Sequence, residues 1–423
     1  MPIEYRQTTL ANGLEIHAEI DPQAHTAAVG FFVRTGARDE PAQLMGVSHF
    51  LEHMMFKGTP TRTAEVVNRD FDDLGANHNA YTTNELTAYY THAVPDRLLP
   101  SLAVLADILR PSLRQADFEE ERGVILEEIA MYADQPFSIA FENMIECLYK
   151  GHPLAHRVLG TTETVSNLQR DAMQGYFDAR YSSDNTALCA AGKVDFDELV
   201  AHATKLCGHW NRGQPVREYP VWTPQAHEMT IALPNASRHY TILSMPAPSV
   251  NDEHRYAASL LMHILGGGDG SRLHWALIET GIAEEASAGY DGHDRAGEYA
   301  ICAVCDADRV TEVHSILLRE LHALCASIND DDLERARARI ATSAASAGER
   351  PSGRMHRLGA FYCYGQPFLS LDIEVERLAA VSHADLHACV QAFPLTPLVQ
   401  VRVQPQAELV PAVSAQSCSE SSL

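Results

Sequence analysis

No apolar run in the sequence approaches the roughly 18 residues needed to span a bilayer. Its start, MPIEYRQTTLANGLEI, has no basic region followed by an apolar stretch. Neither a membrane span nor a secretory leader is therefore expected. The expectation is a cytoplasmic protein, a removed presequence being invisible to this reading. Basic residues are scarce: 32 Lys and Arg stand against 56 Asp and Glu, a formal charge of −24. Nucleic acid is a poor partner for such a chain, because neutralising phosphates requires a dense basic surface. A disulfide framework is also missing, since nine cysteines are an odd number and are scattered without a repeating pattern. Reduced thiols are the simplest reading. What is present is 46% apolar content over 423 residues, enough for two or more domains with their own cores.

The chain divides once. NRGQPVREYPVWTPQ, residues 211 to 225, holds Pro215, Pro220 and Pro224, a density that suits neither a helix interior nor a central strand. The same order of elements reads on either side. In the first half ELTAYYTHAV alternates like a strand, while PDRLLPSLAVLADIL and ADFEEERGVILEEIAMY repeat at helical spacing. In the second, GEYAICAVC, DADRVTEVHSILLRELHAL and DDDLERARARIATSA follow in that order. The fold class expected is α+β, as two similar duplicated domains, each a mainly antiparallel sheet packed with helices. Their expected bounds are 1–212, a linker at 213–225, 226–410, and a mobile tail at 411–423. The second copy lacks the motif described next, so a site is expected in the first copy alone.

PAQLMGVSHFLEHMMFKG reads as one helix with Leu44, Val47, Phe50, Leu51 and Met54 as its apolar contacts. His49 and His53, four apart, leave a helix within about 40° of each other. Glu52 falls about 60° to the other side of His49, near enough to reach a water held between the rings. This is the HxxEH arrangement of inverted zinc peptidases. With 21 histidines, chance is a rival, and the motif alone is suggestive only. A catalytic zinc takes three protein ligands and one open position, so a third ligand is required. In EEERGVILEEIAMY the stripe Phe118, Val124, Ile125, Ile129 and Tyr132 marks the buried face, with Glu121 and Glu128 near its centre and Glu127 some 130° away. A carboxylate in an apolar stripe is costly to bury unless it meets a cation or donor. Glu128 is thus the candidate ligand and Glu121 an outer acid supporting it. The competing reading is a solvated acidic face.

Taken together, HFLEHMMFKGT, NAYTTNELTAYY, EEERGVILEE and the glycine-rich GGGDGSRL resemble the pitrilysin, insulinase and mitochondrial processing peptidase group of zinc metallopeptidases, in its short two-domain form. The resemblance implies Zn2+ held by His49, His53 and Glu128, with Glu52 as general base and Glu121 as auxiliary glutamate. It also implies a clamshell around an extended peptide whose backbone pairs with an edge strand at Asn79 and Ala80, a case of strand addition. The implied function is a zinc-dependent endopeptidase acting on extended peptides or small unfolded proteins. One departure stands out. Active relatives supply an arginine and a tyrosine after the SRL motif, where RLHWALIETGIAEEASAG has Ile278 and Glu284 or Glu285. The chain is therefore expected to be the zinc-bearing partner of a heterodimer with a related subunit, or a homodimer with altered substrate contacts. The alternative is a non-catalytic assembly or peptide-binding subunit of the same fold.

Other constellations rank lower. HPLAH (152–156) and HADLH (383–387) space histidines by four without a glutamate at the catalytic offset, so surface or core histidines are expected. Cys302 and Cys305 lie on a strand pattern that turns them to opposite faces. GGGDGS follows a helical pattern and is expected as a hinge or clamp loop rather than a phosphate cradle. His78 is expected in a loop, solvated, although contact with substrate is open to it.

Overall fold

Two mixed sheets carry the molecule, and the computed structural model describes residues 3–213 and 215–406 of it. The first half runs β1 Glu4–Thr9, β2 Glu15–Ile20, β3 Ala27–Val33, α1 Val47–Met55, α2 Ala64–Asp73, β4 Asn77–Thr82 and β5 Thr87–Ala93. It continues through α3 Pro95–Ile108, α4 Gln115–Ala133, α5 Pro136–Leu148, α6 Thr162–Asn167, α7 Arg170–Arg180, β6 Thr186–Gly192 and α8 Phe196–Cys207. The second half runs β7 His227–Leu233, β8 His239–Pro246, α9 Arg255–Gly266, β9 Glu285–His293 and β10 Ala296–Cys305. It ends with α10 Val310–Ser327, α11 Asp330–Glu349, α12 Pro351–Cys363, α13 Leu371–Ala380, α14 His383–Ala392 and β11 Val399–Pro405. The tail expected at 411–423 lies outside the described residues.

The strand orders are β1-β2-β6-β3-β5-β4 and β7-β11-β8-β10-β9. Each sheet is antiparallel except for one parallel pair that joins an early strand of its half to the last one, β2 to β6 and β7 to β11. The α+β class with two similar halves, expected from the repeated element order, is what is observed. β3, AAVGFFV, is buried at every position because both faces of its sheet are covered.

What covers those faces interlocks the halves. The helices α3 and α1 close one face of the first sheet around Val29, Phe31, Phe50 and Leu105. Its other face receives α12, from the second half, where Met355, Leu358 and Cys363 pack on Ala28, Phe32 and Cys189. Reciprocally, α5 of the first half lies on β11 and β8, with Ala140, Met144 and Leu148 against Ile242, Val399 and Val401. The proline-rich stretch between α8 and β7 has no regular structure among its described residues, yet it is no free tether. Arg217 is buried and holds both oxygens of Asp39 at 2.9 and 2.8 Å, and the Trp222 indole donates to the Leu148 carbonyl at 3.0 Å.

Two local expectations are corrected. The HFLEH helix was expected to span Pro41 to Gly58. Instead a 3-10 turn at Ala42–Leu44 precedes it, and α1 begins only after Gly46, whose φ of 94° breaks the path. Leu44 therefore packs on the core from outside the helix. Val124, expected in the buried stripe of α4, is 44% exposed, because the buried line runs through Phe118, Glu121 and Ile125.

Candidate metal centre and catalytic site

The helix α1 starts on a carboxylate. Gly46 and Ser48 donate their backbone N–H groups to the two oxygens of buried Glu40, each at 2.7 Å, satisfying donors that the first turn leaves unpaired. One turn on, His49 and His53 stand on the face predicted, ring centroids 4.6 Å apart. The second element is α4, which packs against α1 with Phe118 stacked on Phe50 at 4.7 Å. From it Glu128 brings Oε2 to 3.7 Å from His49 Nε2 and 3.8 Å from His53 Nε2. One donor atom from each of the three lies within 4.8 Å of the others.

The electrostatics suit a cation at this point. Burial, with His53 beside it, pushes His49 down to about 4, so its ring is neutral as a metal ligand must be. His53 Nδ1 is bonded to Glu121 Oε1 at 2.8 Å, which leaves Nε2 with the lone pair on the Glu128 side. Burial opposes charge on His53, but Glu121 and the nearby Glu128 and Glu52 outweigh it and raise the ring above its usual value. Glu121 is buried and itself held by the Lys57 ammonium. Burial pushes Glu121 up, while His53 and Lys57 together leave it below the ordinary carboxylate range. A tetrahedral ion with bonds of about 2.0–2.2 Å keeps its donors about 3.3–3.6 Å apart. The observed 3.7 and 3.8 Å spacings, with an N, N, O donor set, fit such an ion after a small inward shift.

Glu52 leaves α1 toward β4, where Thr82 Oγ1 donates to its Oε2 at 2.6 Å. Burial raises the Glu52 carboxyl and the Thr82 bond partly counters it. β4 is the edge of its sheet, paired with β5 alone. Asn79 and Ala80 sit on that edge, and the Ala80 N–H donates to the Asn79 side-chain oxygen at 2.9 Å. His78 is corrected: it is on β4, not in a loop, and its ring stacks on Phe71 at 4.0 Å.

The remaining calls can be placed as well. Glu127 is exposed, turned away from the site. Ile278 packs on the core of the second half from a π-helical turn, His274–Ile278. Glu284 is engaged by Arg238 at 2.6 Å, an arginine that also reaches Asp306 at 3.2 Å. His152 caps a short 3-10 turn, His383 meets Asp330 at 2.9 Å, and Cys302 and Cys305 are free thiols on β10. A second convergent group, Asp291, His293 and Glu298, went unnoticed in the sequence because its members are spread over a hairpin without a motif. Its histidine is already taken, standing 3.4 Å from Glu85 and 3.1 Å from Glu298. Lys57, Thr82 and Glu40 were also missed. Lys57 stands four residues after His53, a spacing that carried a signal, whereas Glu40 and Thr82 reach the site only through tertiary packing.

Comparison with known proteins bears on both halves. Residues 15–162 match the family described as insulinase (peptidase family M16), and residues 167–340 match the peptidase M16 inactive domain. An uncharacterized zinc protease of Mycobacterium tuberculosis is 34% identical over 84% of this chain and 82% of its own length. The mitochondrial-processing peptidase subunit beta of Caenorhabditis elegans is 33% identical over 66% of this chain and 61% of its own. Among solved structures, a protease from Helicobacter pylori shares the fold with a TM-score of 0.88 at 18% identity, covering 96% of this chain and 100% of that one.

Proposed function

The chain belongs to the insulinase family of M16 peptidases, and on that premise we propose that it is a zinc-dependent endopeptidase hydrolysing extended peptides or small unfolded proteins. The observation that carries the reading is the convergence of His49, His53 and Glu128, with Glu52 on the same helix and the open strand edge at Asn79 and Ala80 beside it. Zinc is the metal in the names of the relatives, and the donor set here suits it. When bound, it polarises a carbonyl and acidifies water. The chain's own residues do the rest. The free oxygen of Glu52 takes a proton from the attacking water and returns it to the leaving amine. Glu121, braced by Lys57, keeps His53 in the tautomer that offers Nε2. The edge of β4 holds the peptide by main-chain hydrogen bonds, with the Ala80 N–H released from Asn79 to a substrate carbonyl.

The working unit we propose consists of a catalytic half at 1–212 and a second half at 226–410, joined through 213–225. A second subunit supplies an arginine and a tyrosine where this chain has Ile278 and Glu284 or Glu285, of which Ile278 packs on the core and Glu284 pairs with Arg238. One relative is itself named as a subunit. A homodimer is the other assembly compatible with these contacts. Those same two residues favour the competing reading, a peptide-binding subunit without activity of its own.

The test is hydrolysis of a mixed quenched-fluorescent peptide library by the zinc-loaded chain, with Glu52→Gln run beside it. Cleavage is expected from the wild type. The variant should bind zinc with the same stoichiometry and lose at least about a hundredfold in rate, the contribution typical of general-base catalysis. No cleavage by either protein would sink activity of the lone chain and leave a heterodimer awaiting its second subunit or the binding role.

A further inference from the structure

The residue that aims the general base has not been assigned. Glu52 receives one side-chain hydrogen bond among the described residues, from Thr82 Oγ1 to Oε2 at 2.6 Å. That bond fixes one carboxylate oxygen and leaves Oε1 to accept a proton. Without it little sets the orientation, because the terminal torsion of a glutamate is broad and roughly two-fold.

Thr82 also occupies a telling place. Alternation along β4 puts His78, Ala80 and Thr82 on one face, toward α1 and α2. Ala80 is buried there and His78 stacks on Phe71 of α2. Asn79 and Tyr81 face the other way, and the Tyr81 ring lies 5.7 Å from His356 of α12. The strand edge assigned above to substrate docking and the hydroxyl that holds Glu52 are thus parts of one six-residue strand. A peptide that pairs with β4 registers against the same backbone that fixes the base.

We propose that Thr82 is a positioning residue for hydrolysis, holding Glu52 Oε2 so that Oε1 faces the water attacking a peptide docked on β4. This deepens the peptidase reading and rests on it. Thr82 keeps its own proton throughout. The water oxygen bonds to the carbonyl carbon, the C–N bond breaks, and the proton travels from water through Glu52 to the amine nitrogen.

The test compares the zinc-loaded full chain with Thr82→Val and Thr82→Ser, reading kcat and KM on a peptide drawn from the library, zinc content, and the crystal structure of Thr82→Val. Expected is a fall in kcat of about 10- to 100-fold for Thr82→Val, the scale of one hydrogen bond to a charged group. KM should stay within about twofold and the zinc content should match the wild type. Thr82→Ser should recover most of the lost rate, and the Glu52 carboxylate should be rotated in the Thr82→Val crystal. A wild-type kcat in Thr82→Val, a loss confined to KM, or an unmoved Glu52 carboxylate overturns the inference. If the wild type cleaves nothing, activity of the lone chain fails, while the Glu52 orientation in the Thr82→Val crystal still decides whether Thr82 holds it.

Discussion

At the scale of single residues, the site depends on a carboxylate that no motif contains. Glu40 accepts from the N–H groups of Gly46 and Ser48 at 2.7 Å each, and so fixes where the helix carrying His49, Glu52 and His53 begins. A glutamine has one acceptor oxygen and would set an NH2 group against the second N–H. Glu40→Gln should therefore cost roughly 1–3 kcal/mol, the price of a buried donor left unpaired. Urea unfolding of the metal-free chain measures it, and the same variant should bind zinc more weakly because the two histidines are less well fixed. An unchanged midpoint would mean that the turn from Ala42 to Gly46 sets the helix start without Glu40.

At the scale of elements, periodicity located most of the structure. ELTAYYTHAV became β5, GEYAICAVC became β10, and the helical repeats became α3, α4, α10 and α11. The candidate site was legible for the same reason: His49, His53, Glu121 and Glu128 each sit at a spacing that their own helix dictates, and the two helices needed only to meet. Spacing could not show where an apolar face goes. Met144 and Leu148 on α5, and Met355 and Leu358 on α12, mark ordinary buried stripes, yet each stripe lies on the sheet of the other half. Val124 was misjudged likewise, because its place in the apolar stripe of α4 says nothing about whether a neighbour covers it. The close fit of α12 makes a measurable prediction. A Cβ at Gly359 would stand 2.1 Å from the fully buried Phe32 ring. Gly359→Ala should destabilise the chain by about 1–3 kcal/mol through overpacking. Adding Phe32→Leu should restore part of the loss, a coupling that a double-mutant cycle detects. Additive effects would show that the helix shifts freely on the sheet.

At the scale of the whole molecule, the halves are joined by buried charge as well as by exchanged helices. Arg38 and Asp39 of the first half, Arg217 of the strap and His293 and Asp294 of the second half meet around Glu85. Arg38 contacts Glu85 at 2.5 Å with both side chains 1% exposed. Such a cluster is costly to break because removing one partner leaves another charge buried and unpaired. Burial alone would raise the Glu85 carboxyl, but His293, Arg217 and Arg38 hold it down to about 2. Burial likewise opposes charge on His293, yet Glu298, Glu85 and Asp291 raise it well above its usual value of 6.5. The signs of the two linkages differ. The depressed Glu85 contributes stability that is complete above its ordinary value of 4.5 and fades as pH falls toward 2. The raised His293 contributes stability that is complete below 6.5 and fades as pH climbs through its folded value. Both contributions are whole between about pH 4.5 and 6.5. In urea unfolding, the advantage of the wild type over His293→Gln should thus be greatest near pH 5.5 and shrink progressively under alkaline conditions. An advantage that holds constant or grows with pH would mean that His293 is neutral in the folded chain, and that the junction is held by its arginines alone.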